Sequence, residues 1–296
     1  TTPRPNPDNN GHHGNNGGGW GNGHGNENDQ PQEYKCRHDV LEVTNYVDSR
    51  SIIPHLCGEN SGQHFYFSLD SFKSSGIRIT LKIADRQHND NLATPNWRIR
   101  IRQIEDRGRR NARDLDNFNR RDEIINTGVG GLFAAVSGRS LSSDIDEQLL
   151  APAGCLQYYP ERTGTIESFN YNSGKGPYLP NLRYAICFKR TSSVCGVKLM
   201  ARKFQLSNLR NNNNEVDSDC EAPGRDNRRG DYLLIPDGVS KLGRRGTKWC
   251  GNSAQHSVVA FTSPGPLYMF FNSDKYTSRN DREIGFKMSF AVLNNC

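Results

Sequence analysis

The residues with the most definite chemistry in this chain are its eight cysteines. They lie at Cys36, Cys57, Cys155, Cys187, Cys195, Cys220, Cys250 and Cys296. Their number is even, none form a CxxC pair, and their spacing is too wide for a compact zinc site. Disulfide bonds formed in an oxidising compartment explain them best, so we expect a secreted, extracellular protein.

The other reactive side chains lack the spacing that a catalytic or metal site requires. His12, His13 and His24 offer imidazoles for copper, zinc or nickel, but they lie in a Gly-rich segment, and a solvated tail is the favoured interpretation. Serine, histidine and aspartate are present, yet no GxSxG elbow, HExxH motif or paired-carboxylate pattern positions a nucleophile or a base. We therefore predict that the protein is not an enzyme.

The basic residues suggest either a processing site or a solvated loop, and they do not suggest nucleic-acid binding. Arg107, Arg109 and Arg110 match the sites that processing proteases of the secretory pathway cut. The whole chain has 38 basic and 32 acidic residues and a net charge of +6, which is too balanced to indicate a nucleic-acid partner.

Short strands are the elements that must position these residues. Apolar and polar residues alternate with period two in runs separated by Gly, Asn, Ser and Pro, which is typical of an all-β protein. The runs form two blocks. The first block has them at 39–43, 64–69, 76–83 and 96–104, and the second at 154–159, 164–171, 183–190, 194–204, 231–235, 256–261, 267–272 and 285–293.

The segments around these blocks are polar. Residues 1–30 contain eight Gly and eight Asn, and this composition predicts that residues 1–34 are a flexible segment. Residues 106–152 are predicted to be a long linker with a short helix at 142–150, and residues 208–230 an Asn-rich, charged insertion. The longest apolar runs are too short to span a membrane.

Both blocks carry a pattern that resembles the second half of a CUB domain. In each block an aspartate precedes an alternating strand and a Cys-Gly pair follows it; the aspartates are Asp39 and Asp231, and the pairs begin at Cys57 and Cys250. More specifically, the chain resembles the paired CUB domains of secreted arthropod proteins. This resemblance rests on LCGENSGQH at 56–64, WRIRIRQI at 97–104 and APAGCLQYY at 151–159.

The resemblance implies two jelly-roll β-sandwiches joined by the linker, over residues 35–105 and 153–296. The opening strands of a CUB domain are recognisable only in the second block, so the first sandwich is expected to be incomplete. We expect the missing half to lie upstream of Thr1, either cut away or present as another chain. A complementing fragment, another protein chain or a homo-oligomer is then the expected partner.

The resemblance also implies disulfide pairs and a calcium site. Cys36 is expected to pair with Cys57, and Cys220 with Cys250. The remaining four cysteines admit two arrangements: Cys187 with Cys195 and Cys155 with Cys296, or Cys155 with Cys187 and Cys195 with Cys296.

Many CUB domains hold calcium with an acidic trio. The positions that match it are Asp39 and Asp70 in the first block and Asp231 and Asp274 in the second. In the first block the glutamate of the trio is expected to lie in the missing half. In the second block its position falls near Ser207, and this departure weakens the site.

The function that the resemblance implies is non-enzymatic and extracellular: binding of another protein, or self-assembly, through CUB modules. Two alternatives remain open. One is an accessory or regulatory component of a secreted protease system in haemolymph, venom or reproductive fluid, and the other is a glycan-binding CUB protein.

Overall fold

Most of the predicted strands lie in the part of the chain that the computed structural model describes. That part comprises residues 32–33, 36, 38–44, 55–67, 76–86, 94–104, 149–207, 216–221, 230–277, 283–294 and 296. Thirteen strands and a short α-helix, α1 (Ser218–Glu221), lie within these ranges. The strands are β1 (Gln32–Glu33), β2 (Val40–Thr44), β3 (Arg78–Lys82), β4 (Cys155–Tyr159), β5 (Thr163–Glu167), β6 (Arg183–Phe188), β7 (Val194–Gln205), β8 (Tyr232–Ser240), β9 (Arg245–Trp249), β10 (Val258–Thr262), β11 (Leu267–Asn272), β12 (Tyr276–Thr277) and β13 (Gly285–Asn294).

Nine of these strands form one large sheet. Its order is β4, β6, β11, β8, β10, β7, β13 and β5, with β9 paired to β8 beside this path. β4 pairs with β6 in parallel, and the other pairings of the sheet are antiparallel. Separate two-stranded pairs are formed by β1 with β12 and by β2 with β3.

The large sheet folds over one main hydrophobic core, and a smaller cluster forms around Cys155, Tyr158, Ala185 and Cys187. Along β7, Val197, Leu199 and Ala201 are buried while the intervening residues are exposed, as period-two alternation predicts. The rings of Tyr159 in β4 and Phe290 in β13, which are nearly at opposite ends of the strand order, have centroids 5.3 Å apart. The two halves of the sheet therefore face each other as a β-sandwich, and the all-β fold class is confirmed.

Four disulfides cross-link the chain, and no cysteine is free. The structure joins Cys36 to Cys57, Cys155 to Cys187, Cys195 to Cys296 and Cys220 to Cys250. The alternative with Cys187 bonded to Cys195 is therefore not the observed one. The reason is the sheet order: β4 runs beside β6, which places Cys155 and Cys187 on neighbouring strands.

The described residues of the first block pack with the second. β2 and β3 pair antiparallel, and Leu41 of β2 exchanges two backbone hydrogen bonds with Leu56. Leu56 is only 4% exposed and belongs to the core of the large sheet. Residues 31–296 form one compact unit.

Sequence periodicity over-predicted strands in this block. The runs at 64–69 and 96–104 alternate as strands do, yet residues 64–67 and 96–104 lie outside the ladders of the described sheets. A strand needs a hydrogen-bonding neighbour as well as a favourable sequence, and alternation reports only the second condition. Conversely, β9 was not predicted, because its sequence RGTKW shows no apolar alternation.

Several predictions concern residues outside the described ranges. They include the tail at 1–34 except for β1, most of the linker at 106–152 with its predicted helix, and most of the insertion at 208–230. Asp70, Arg107, Arg109 and Arg110 lie there too. The division into domains and the processing site stay predictions. Within the described residues, no helix has the length and apolar character that crossing a membrane requires.

Candidate functional site

Two predicted aspartates meet at one end of the sandwich. Asp231 immediately precedes β8, and Asp274 follows the end of β11. Because Asn272 of β11 pairs with Tyr232 of β8, the start of one strand lies beside the end of the other. The backbone N–H of Asp274 donates to Oδ1 of Asp231 over 2.6 Å. Sheet register therefore creates this pair.

A buried tyrosine completes the cluster. The Tyr178 hydroxyl donates to Oδ2 of Asp231 and accepts the backbone N–H of Ser207 over 3.0 Å. The backbone N–H of Tyr178 donates to the carbonyl of Glu283 over 3.0 Å. Asp231 and Tyr178 are each 1% exposed. The cluster thus ties together the segments that flank β7, β8, β11 and β13 while keeping its reactive atoms away from solvent.

Burial dominates the electrostatics of this cluster. Desolvation, followed by the negative charge of Asp274, raises the pKa of Asp231 well above its usual value, against the hydrogen bonds that it accepts. The carboxyl of Glu283, itself buried, raises the pKa of Asp231 further. Burial and the adjacent carboxylates likewise raise the pKa of Tyr178. Asp231 and Tyr178 therefore stabilise the strand ends, and burial keeps their side chains from acting on a substrate as a base or nucleophile.

Comparison with known proteins identifies the sandwich. Residues 152–293 match the family model for the animal CUB domain. This chain contains a CUB domain. The match covers the large sheet from β4 to nearly the end of β13. No curated protein matches the chain.

Solved structures also match the chain, among them the CUB1-EGF-CUB2 domain of human MASP-1/3. It is 20% identical, and the match covers 46% of this chain and 43% of that one with a TM-score of 0.27. The matched region is thus less than half of that structure.

The CUB domain keeps only part of the predicted calcium site. Calcium takes six to eight oxygen ligands, several of them carboxylates. Asp231 and Asp274 come together as expected, but the position of the expected glutamate is near Ser207, whose backbone N–H is bonded to Tyr178. Among the described residues, no three His, Cys, Asp or Glu side chains are arranged to hold a metal ion. The described residues thus supply fewer ligands than calcium requires, and the calcium site stays a prediction.

The aspartate of the first block is also engaged within the protein. Oδ1 of Asp39 accepts the backbone N–H of Ala84 over 3.0 Å, and Oδ2 forms an ion pair with Arg86. The hydrogen bond from Arg86, and next that from Ala84, lower the pKa of Asp39. Asp39 thus joins the start of β2 to the chain that follows β3.

We expect calcium to leave the stability of the protein unchanged. A ligand that binds only the folded state raises the melting temperature by mass action, and two carboxylates already engaged in internal contacts offer too few ligands for that binding. Thermal melts in calcium and in chelator should therefore superimpose. A rise in melting temperature with calcium that is lost in Asp274→Ala would restore the site that the resemblance implies.

A second feature is a segment from the first block that packs against the core of the CUB domain. We call residues 55–67 the clamp. The N–H of Tyr66 donates to the carbonyl of Leu156 over 2.7 Å, and the ring of His64 lies against the backbone of Tyr158. The clamp therefore runs antiparallel along β4, a terminal strand of the sheet.

The clamp also reaches the other terminal strand, β5. Gln63 accepts a hydrogen bond from the Gln157 side chain over 2.8 Å and donates to the carbonyl of Glu167 in β5 over 3.3 Å. Phe65 stacks on Phe169 with ring centroids 5.0 Å apart. The clamp therefore lies along the free edge of β4 and also contacts the end of β5.

A small polar cleft of about 290 Å³ lies between the clamp and the end of β5. Its carboxylates are Glu59 and Glu167. Glu59 accepts the N–H of Ser61 over 2.9 Å, and Glu167 forms an ion pair with Lys287. Both acids are therefore held by neighbours rather than aimed at a shared substrate position.

His64 makes clamp attachment sensitive to acid. Its Nε2 lies 3.1 Å from the carbonyl oxygen and 3.2 Å from the nitrogen of Tyr158, and burial lowers its pKa despite the nearby Glu161. An unfolded histidine takes up a proton near pH 6.5, so below that pH the detached state binds more protons than the attached one. Clamp stability should therefore fall as the pH decreases from about 6.5.

Amide hydrogen exchange at Tyr66, compared at neutral and mildly acidic pH after correction for intrinsic rates, measures this effect. His64→Gln keeps a donor and an acceptor but does not titrate, so its protection should change less with pH. Equal pH dependence in the two proteins would show that His64 is not responsible.

The sequence did not reveal Tyr178, Glu283, Asn170 or His64 as site residues. The Tyr178 hydroxyl meets an aspartate 53 positions away, and Asn170 meets the clamp 110 positions away. The only available signal was the position of Tyr178 in YLPNLRYAIC, a segment that resembles the opening of a CUB domain.

Proposed function

We propose that this chain is a non-enzymatic extracellular protein that binds another protein or a second copy of itself through its CUB domain. The observation that carries the proposal is the CUB match over residues 152–293, since CUB domains are interaction modules. The four disulfides support an oxidising, extracellular setting.

The chemistry of the described residues supports a binding role. Asp231, at the end of the sandwich, is buried against Tyr178, and the acids of the cleft are bonded to Ser61 and Lys287. Three large apolar side chains along one stretch, Trp97, Ile99 and Ile101, are instead 60%, 39% and 76% exposed. Apolar surface available to solvent, with polar groups engaged internally, is the arrangement that favours protein contacts.

The partner is expected to be a protein chain. Candidates are a fragment that complements the first block, an unrelated protein and a second copy of this chain. Exposed strand edges and apolar residues in the first block support complementation, because they are features that strand addition from another chain satisfies.

Native mass spectrometry of the secreted protein, with identification of the chains that co-purify, tests the proposal. We expect a particle heavier than the 33.3 kDa protomer. A protease among the partners would favour the accessory role, and retention by glycans alone would favour the glycan-binding role. A strictly monomeric particle without any partner across the concentration range would contradict the proposal.

A further inference from the structure

One stretch of the first block exposes a regular row of apolar and cationic side chains. In the exposed row, residues 97–102, Trp97, Ile99 and Ile101 are 60%, 39% and 76% exposed. Arginines stand between and after them, at positions 98, 100 and 102, and are also exposed. Side chains of an extended chain alternate between two sides, so this spacing places the apolar groups on one side and the arginines on the other.

The backbone of the exposed row lacks the neighbour that its sequence calls for. Isoleucine and tryptophan alternating with polar residues favour a β-strand. Residues 94–104 contain no helix, turn or bend, yet the backbones of residues 97–101 form no hydrogen bond with any other described residue. Their N–H and C=O groups thus form a strand edge that another chain can extend.

Charge restricts what can pair with this edge. Residues 94–104 contain three arginines and no acid. Within the described part of the chain, neither Arg98 nor Arg100 has an ion-pair partner. Opposite charges directly across an antiparallel pair stabilise it, and like charges destabilise it. A neighbouring strand should therefore carry carboxylates on the arginine side and apolar residues on the side of Trp97.

We propose that the exposed row is a docking edge for an acidic, alternating β-strand of a partner protein. This inference rests on the proposed function and names its contact. An anionic glycan would satisfy the arginines but would leave the tryptophan and isoleucines in water, so the apolar side favours a peptide strand. Main-chain hydrogen bonds would supply affinity and the alternating side chains the selectivity, as in strand addition generally.

The test uses the full chain and a synthetic peptide in which Glu alternates with Val and Ile. Calorimetric titration should show saturable binding. The same peptide N-methylated at every backbone nitrogen should not bind, because neither of its edges can then donate to the ladder. Arg98→Glu combined with Arg100→Glu should weaken binding of the parent peptide by roughly tenfold or more, because it replaces attraction by repulsion on both pairs.

A matched control makes the same charge change on a strand that has no available edge. Lys198 and Arg202 are exposed on β7, which is paired with both β10 and β13. Lys198→Glu combined with Arg202→Glu should leave peptide affinity within about twofold of the parent. Thermal melts of both double variants establish that each is folded before affinities are compared.

Binding that survives N-methylation, or equal competition by a heparin oligosaccharide, would overturn the proposal and make the row a general anion surface. Absence of peptide binding would also overturn it, while leaving the proposed function intact if the native particle contains a partner. If the peptide binds but the native protein has neither partner nor second copy, the proposed function fails, and this inference with it.

Discussion

Replacing Asp231 with alanine is expected to lower the free energy of unfolding by about 2–4 kcal/mol. The carboxylate is buried and accepts hydrogen bonds from the Tyr178 hydroxyl and from the backbone N–H of Asp274. Alanine removes both acceptors at once and leaves these donors without them in a site that solvent hardly reaches. Chemical denaturation of the wild type and of Asp231→Ala measures the loss.

Asparagine at the same position separates hydrogen bonding from charge. Asp231→Asn keeps an acceptor oxygen and removes the buried charge, so it should be more stable than Asp231→Ala by about 1–2 kcal/mol at neutral pH. The pH profile gives a second readout. The folded state holds the Asp231 proton to a higher pH than the unfolded chain, whose aspartates titrate near pH 3.9, because burial raises the pKa of Asp231.

The folded state therefore binds more protons between these two pKa values, and the contribution of Asp231 to stability decreases as the pH rises through that interval. Asp231→Asn should lack this decrease, so its stability relative to the wild type should improve with rising pH. Parallel pH profiles for the two proteins, or an alanine variant as stable as the wild type, would refute the buried-carboxylate description.

The second block was the part of the fold that its sequence predicted well. β6, β7, β11 and β13 have strict alternation or continuous apolar runs, and each forms close to the predicted position. These strands bury one or both faces in a core made by the same block, so local pattern and tertiary environment agree. The resemblance to CUB domains added the topology, which alternation alone does not contain.

The first block shows what local pattern leaves undetermined. The alternation at 64–69 predicts a strand. The described residues of this run lie along β4, with the N–H of Tyr66 bonded to Leu156, but they do not form a ladder with it. Whether such a run becomes a strand depends on a neighbour about 90 residues away. No residue within the run specifies that neighbour.

The candidate site was predictable in its aspartates and not in their surroundings. Asp231 and Asp274 were chosen by resemblance, and sheet register brings them together. Their role as members of a hydrogen-bonded cluster depends on Tyr178, whose hydroxyl donates to Asp231 from 53 positions away in the sequence. Burial of a phenol has no local sequence signature, and for that reason a calcium site was the natural first expectation.

Replacing Gly58 with alanine is expected to detach the clamp. Gly58 has φ +74°, and a Cβ there would lie 1.9 Å from Oδ1 of Asn170. That oxygen accepts the N–H of Glu59 over 2.8 Å, while the N–H of Asn170 donates to the Asn60 side chain over 2.9 Å. The added methyl group therefore meets the atoms that anchor the clamp, and cannot be accommodated while these bonds persist.

Gly62 provides the control for this substitution. It has nearly the same backbone conformation as Gly58, but the position that a Cβ would take is unoccupied. Its φ is +79°, and a Cβ there would meet no atom within 4 Å. Gly62→Ala thus incurs the left-handed strain of about 1–2 kcal/mol, whereas Gly58→Ala incurs the same strain and the collision. Amide exchange at Tyr66 should accelerate by roughly a hundredfold or more in Gly58→Ala, and clearly less in Gly62→Ala.

Amides of the central strands distinguish local from global effects in this experiment. Leu199 lies in β7, between β10 and β13, and its protection should change little if only the clamp is released. Equal acceleration at Tyr66 in the two alanine variants would assign the effect to backbone strain, and normal protection in Gly58→Ala would show that the clamp is not anchored through Asn170. Loss of protection at both Leu199 and Tyr66 would instead mean that the clamp and the CUB domain unfold as one unit. In that case, closure of the large sheet would depend on the clamp.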